Sequence, residues 1–87
     1  MDQKIVQTII DELQQIAELL YQENIQPAYG KLVNVLPSIE KFILDIEDES
    51  NKDELVQKFG AALEAMEEED NTLLADILQY EIIEALQ

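Results

Sequence analysis

Apolar residues recur at helical spacing along nearly the whole chain, and this periodicity constrains the fold more than any other feature. Between residues 2 and 23, Ile5, Val6, Ile9, Ile10, Leu13, Ile16, Ala17, Leu20 and Tyr21 fall on one arc of a projected α-helix. Gln7, Asp11, Gln14, Gln15, Glu18 and Gln22 take the other side. Asp2 is suited to cap this helix, because its carboxylate can accept from the free amides of a first turn. Asn24-Ile25-Gln26-Pro27 then reads as a turn, with Pro27 in the first turn of a new helix. A second stripe follows in Ala28, Leu32, Val35, Leu36, Ile39, Phe42, Ile43 and Ile46. It keeps its phase across Pro37, which predicts one kinked helix in which the Val33 carbonyl loses its usual partner.

The segment from Glu47 to Lys52 has no apolar residue and predicts a connection, with Ser50 and Asp53 resembling a capping box at the next helix. Leu55, Val56, Phe59, Ala62, Leu63 and Met66 form the third stripe. At Glu67-Glu68-Glu69-Asp70 two outcomes stay open. Continuing the helix would put Asp70 inside the apolar stripe, whereas Asp70 as an N-cap would start a fourth helix at Asn71. No Gly or Pro marks the break, so three helices with one long C-terminal rod remain the alternative. The fold predicted is an all-α, small antiparallel bundle in one domain, residues 1–87. Its four helices are about 2–23, 27–47, 51–68 and 71–86, arranged as two hairpins. Offsetting the chain by 45 residues pairs Ala17 with Ala62, Tyr21 with Met66, Ala28 with Leu73 and Leu32 with Ile77. Two related hairpins would produce this match, and so would any two amphipathic helices.

Composition limits the chemistry. The 87 residues include no arginine, histidine, cysteine or tryptophan, and twenty carboxylates stand against five lysines. A nucleophile paired with His, a thiolate metal site, a Glu-x-x-His dimetal site and a disulfide are all unavailable. Gly30 and Gly60 are the only glycines, so there is no phosphate-binding glycine loop. The acidic run from Asp45 invites a calcium reading. The EF-hand template needs Gly at its sixth position and Glu at its twelfth, and these are Ser50 and Val56. The expectations are no catalytic residue, no metal, no cofactor and no enzyme.

Net charge is −15, with −3 over residues 1–44 and −12 over residues 45–87. That field repels nucleic acid and anionic membrane, and it leaves basic proteins or apolar helices as partners. No basic, apolar leader opens the chain, and no apolar run approaches the about 20 residues of a membrane span, so the cytoplasm is expected.

In the last helix Leu73, Leu74, Ile77, Leu78, Tyr80, Ile82, Ile83 and Leu86 point in nearly every direction around an α-helical axis. A helix apolar all round is either central or covered by another molecule. No helix is easily central in so short a chain, so Leu74, Leu78, Tyr80 and Ile83 are the expected protein interface. Burial on two sides within a compact bundle would explain the same pattern. Glu81 projects between Leu74 and Ile77 on the apolar arc. It is either a buried carboxylate with a lysine or tyrosine partner, or a residue near a frayed end that reaches water.

The segments Tyr29-Gly30-Lys31-Leu32, Leu36-Pro37-Ser38-Ile39 with Phe42, Ala62-Leu63-Glu64-Ala65-Met66, and Leu73-Leu74-Ala75-Asp76-Ile77-Leu78-Gln79-Tyr80-Glu81 are together similar to a known group. They resemble a family of small, uncharacterised, acidic all-helical proteins of Gram-positive bacteria, some of them encoded near motility genes. The resemblance implies a bacterial cytoplasmic protein and leads toward flagellar export chaperones, which are themselves small helical bundles. It transfers no functional residue. The function expected is a non-enzymatic helical interaction module, adaptor or export-chaperone-like, that binds a partner protein through an apolar helix face. The alternative is an acidic decoy that mimics nucleic acid and occupies a basic protein. A homodimer that buries the last helix is equally consistent.

Overall fold

The computed structural model describes residues 3–87, so the expected Asp2 cap lies outside the described residues. Four helices are present among them, α1 (Gln3–Tyr21), α2 (Ile25–Leu44), α3 (Glu49–Glu67) and a fourth over residues 71–86. The fourth has three parts: Asn71–Asp76 is α-helical, Ile77–Ile82 is π-helical and Ile83–Leu86 is α-helical. Most of each apolar stripe becomes a buried face, with Ile5, Tyr21, Val56 and Leu63 left exposed, and together the faces form one core. Among the described residues, no helix is long and apolar enough to cross a membrane.

The loops after α1 and α3 are built alike. Glu23 and Glu69 take positive φ, 64° and 57°. After α1, the Asn24 amide donates to the Leu19 carbonyl at 2.8 Å and the Glu23 amide donates to Leu20 at 3.1 Å. After α3, the Asp70 amide donates to Ala65 at 2.9 Å and the Glu69 amide donates to Met66 at 3.1 Å. These paired bonds are a Schellman stop, which satisfies the last free carbonyls by turning one residue left-handed. Glycine usually fills that position, and the two glutamates hid the stops from sequence inspection. Asp70 then caps the fourth helix as expected, its carboxylate accepting from the Leu73 amide at 3.2 Å.

Two helix starts differ from expectation. α2 begins at Ile25, because its first intrahelical bond runs from the Ala28 amide to the Asn24 carbonyl at 3.2 Å. Pro27 therefore needs no amide hydrogen where it sits. α3 is capped by Asp48, whose carboxylate accepts from Ser50 at 2.9 Å and Asn51 at 3.3 Å, in place of the expected Ser50–Asp53 box. Pro37 lies inside α2 without dividing it. Both Pro37 and Val33 are exposed, so water can serve the carbonyl that the proline leaves unpaired.

The stops mark a second internal register beside the 45-residue one. Glu23 and Glu69 lie 46 residues apart, one more than the 45-residue offset. At 46, Ile9 matches Leu55, Leu13 matches Phe59, Ile16 matches Ala62, Ala28 matches Leu74 and Leu32 matches Leu78, and all ten side chains are buried. At 45, Ile10 with Leu55, Ala17 with Ala62, Leu20 with Ala65 and Leu32 with Ile77 are also buried pairs, but buried Ala28 falls opposite the exposed Leu73.

The helices pack as two hairpins, α1 with α2 and α3 with the fourth helix, and α1 against the fourth helix joins them. α2 and α3 barely touch, although they are consecutive. α1 and the fourth helix therefore form the centre of the molecule.

Candidate interaction surface

The π-helical turn decides what the last helix presents. Within it, bonds run from i to i+5, as from the Ile83 amide to the Leu78 carbonyl, so the turn takes up one extra residue. Residues five apart then lie above one another. Ile77, Leu78, Ile82 and Ile83 are all buried, as is Leu74. A projection at the ordinary α repeat spreads these side chains around the axis, whereas the widened turn gathers them on one side.

Three of the four residues expected at an interface are therefore core. Leu74 and Leu78 are fully buried and Ile83 is nearly so, because the fourth helix packs against α1 on one flank and α3 on the other. The premise that no helix is central in so short a chain fails here. Glu81 is exposed, so the buried carboxylate is also corrected: the π turn carries it out of the apolar face. Tyr80 alone of the four remains outside, with 62% of its surface exposed.

Tyr80 has company. Tyr21, at the end of α1, is 45% exposed and donates its hydroxyl hydrogen bond to Asp76 of the fourth helix. Leu73, one helical turn before Asp76, is 44% exposed. The Tyr21 phenol is pushed up to about 12, chiefly because its hydroxyl donates a hydrogen bond to the Asp76 carboxylate, which favours the protonated form. Burial and the charge of Asp76 add to the shift, and so does the nearby Tyr80. Tyr80 follows Asp76 by one helical turn, so the hydrogen bond from Tyr21 to Asp76 sets the two exposed tyrosines on the same stretch of surface. Tyr29 makes a second tie between the hairpins, donating to the Asn71 side chain at 2.6 Å. Burial raises its phenol too, with the charge of Glu69 as a smaller cause.

Along their own helices, the charged neighbours of these residues are acidic. Glu18 lies one turn before Tyr21, and Glu84 lies one turn after Tyr80. The chain has no lysine between Lys4 and Lys31 and none after Lys58. Sequence inspection singled out Tyr80 but missed Tyr21 and Leu73, because only packing joins the end of α1 to the fourth helix.

A second concave feature lies on the other flank of α1. α1 and α2 diverge there to leave an open groove of about 1180 Å³. Ile5, Ile9, Val35 and Phe42 supply its apolar lining, and Lys4, Lys31 and Lys41 reach it together with Glu12, Asp45 and Glu47. Among the described residues, no three carboxylates converge on a point that could hold a metal ion.

Fold and surface together define an acidic, all-α four-helix protein with an aromatic patch on one face. The chain belongs to the family described as Domain of unknown function (DUF8042), whose model matches residues 3–87. No curated protein and no solved structure matches it.

Proposed function

We propose that the protein is a non-enzymatic interaction module, adaptor or export-chaperone-like, that captures a helical segment of a partner protein in the bacterial cytoplasm. The site is the face built from Tyr21, Leu73 and Tyr80, and the partner segment carries apolar residues flanked by lysine or arginine. One observation carries this reading: the exposed Tyr21 is hydrogen-bonded to Asp76, between the exposed Leu73 and Tyr80 of the fourth helix, and the nearest charged residues along both helices are carboxylates. Tyrosine supplies large contact area with few rotamers to freeze, and its ring face attracts cations. The surrounding acids would steer a basic segment toward the patch and discourage acidic ones.

The test is affinity capture from native lysate at moderate salt, comparing the protein with its Tyr80→Ala and Tyr21→Ala variants. A protein held by the parent and released by both variants, with helicity unchanged, supports the assignment. Equal capture by all three moves the site elsewhere. The −12 charge of residues 45–87 favours a second reading, the acidic decoy. Decoy binding would collapse between low and moderate ionic strength, whereas capture through the tyrosine patch would persist.

A further inference from the structure

The groove between α1 and α2 differs in charge from the rest of the molecule. Its lining holds three lysines and three carboxylates, so it is formally neutral and the whole −15 lies outside it. Three of the five lysines of the chain are drawn into this one place. Among the described residues, Lys31 donates only to the neutral Gln15 amide, at 3.2 Å, and neither Lys31 nor Lys41 forms an ion pair with a carboxylate. Lys58, by contrast, pairs with Glu54 within α3 at 3.2 Å. The apolar lining is incompletely covered, with Ile5 52% exposed and Phe42 half-buried.

We infer that a second copy of this chain docks over the α1–α2 groove. Two copies carrying −15 each repel wherever acidic surfaces meet. The groove can meet its own twofold image without that penalty, because its lysines and carboxylates supply both halves of a reciprocal set of pairs. A twofold interface requires this kind of self-complementary patch. Docking there would cover Ile5 and Phe42 and provide carboxylates for Lys31 and Lys41. The tyrosine patch lies on the opposite flank of α1 and stays free, so the dimer would present two such faces. The inference does not depend on what those faces bind.

Sedimentation equilibrium of the intact protein, with two charge-reversed variants, tests it. One variant carries Lys31→Glu and Lys41→Glu, and the other carries Glu12→Lys and Glu47→Lys. The expected result is a parent dimer, with self-association weakened by about tenfold or more in each variant, since like charges then face each other. Mixing the two variants should restore a mixed dimer, because every reversed group meets its reversed complement. Circular dichroism checks that both variants remain helical. Should either one unfold, the single exposed changes Lys41→Glu and Glu47→Lys repeat the comparison. A parent that is monomeric from micromolar to sub-millimolar concentration overturns the inference. So does a dimer that neither reversal weakens.

Discussion

The two hairpins use the same turn to different ends. Each ends its first helix with a left-handed glutamate and a Schellman pair of hydrogen bonds, and each starts its second helix at the next residue but one. Up to Leu32 and Leu78, five buried pairs correspond at an offset of 46, although buried Ile10 and Ala17 fall opposite the exposed Val56 and Leu63. Beyond that point they part. α2 continues as an ordinary helix with Pro37 on its wet side, while the fourth helix widens into a π turn. α2 buries four residues and packs chiefly on α1, whereas the fourth helix is held between α1 and α3. One more residue per turn is the local answer to being packed on two sides: it brings two successive apolar pairs onto a single face.

Removing one residue from each second helix tests that contrast most severely. Deleting Gln79 takes out the extra residue of the π turn and leaves the downstream face in register, so a cooperative melt by circular dichroism should persist. Deleting Asn34 rotates Val35, Ile39 and everything after them by about 100° on a 3.6-residue helix, and should abolish the folded state. Equal damage from both would remove the account of the π turn as an inserted residue.

Side-chain truncation at matched positions comes next. Leu78→Ala should cost about 4 kcal/mol in urea unfolding, a large part of the stability of a small domain. Leu32→Ala should cost about 2 kcal/mol, because α2 lines the core from one side only. A reversed order would show that centrality in the bundle does not set the energetics.

The caps give a smaller difference. Asp70→Ala removes the carboxylate that accepts from Leu73 and should cost about 1 kcal/mol. Asn24, its counterpart, makes no side-chain cap bond, so Asn24→Ala should leave the denaturation midpoint nearly unchanged.

The smallest effect is the pH dependence of the tie between the hairpins. An unfolded tyrosine ionises near 10, and Tyr21 in the fold holds its proton up to about 12. Its contribution to stability is therefore complete below pH 10 and is lost as pH rises toward 12, where the unfolded chain has released the proton first. Tyr21 is nearly half exposed, so solvent screening keeps this term small. In alkaline spectrophotometric titration one phenol should titrate last, and Tyr21→Phe should remove that step. If the step survives the substitution, it belongs to another tyrosine.

Most of the architecture was legible from pattern. The heptad-like stripes place all four helices because burial of a continuous face dictates where apolar residues recur. Asp70 was recognisable as a cap because a carboxylate inside an apolar stripe has a better place at a helix start. The candidate surface was legible only in part. Leu74, Leu78 and Ile83 were mistaken for surface because a uniform helical repeat was assumed, and the run Gln79-Tyr80-Glu81 between two apolar pairs is the visible sign of the extra residue. The Schellman stops were hidden because glutamate, and not glycine, holds the left-handed position.

The sequence by itself determined the class of fold, the four segments and the acidic field, because periodicity and charge are properties of the chain read one residue at a time. It also confined the chemistry, through the side chains it omits. Tertiary structure alone decided that the last helix is central, since that depends on which helices flank it. The hydrogen bond of Tyr21 to Asp76, and the gathering of Lys31, Lys41, Glu12 and Glu47 around one groove, were likewise decided there. Such neighbours are set by packing between helices, which no local pattern encodes.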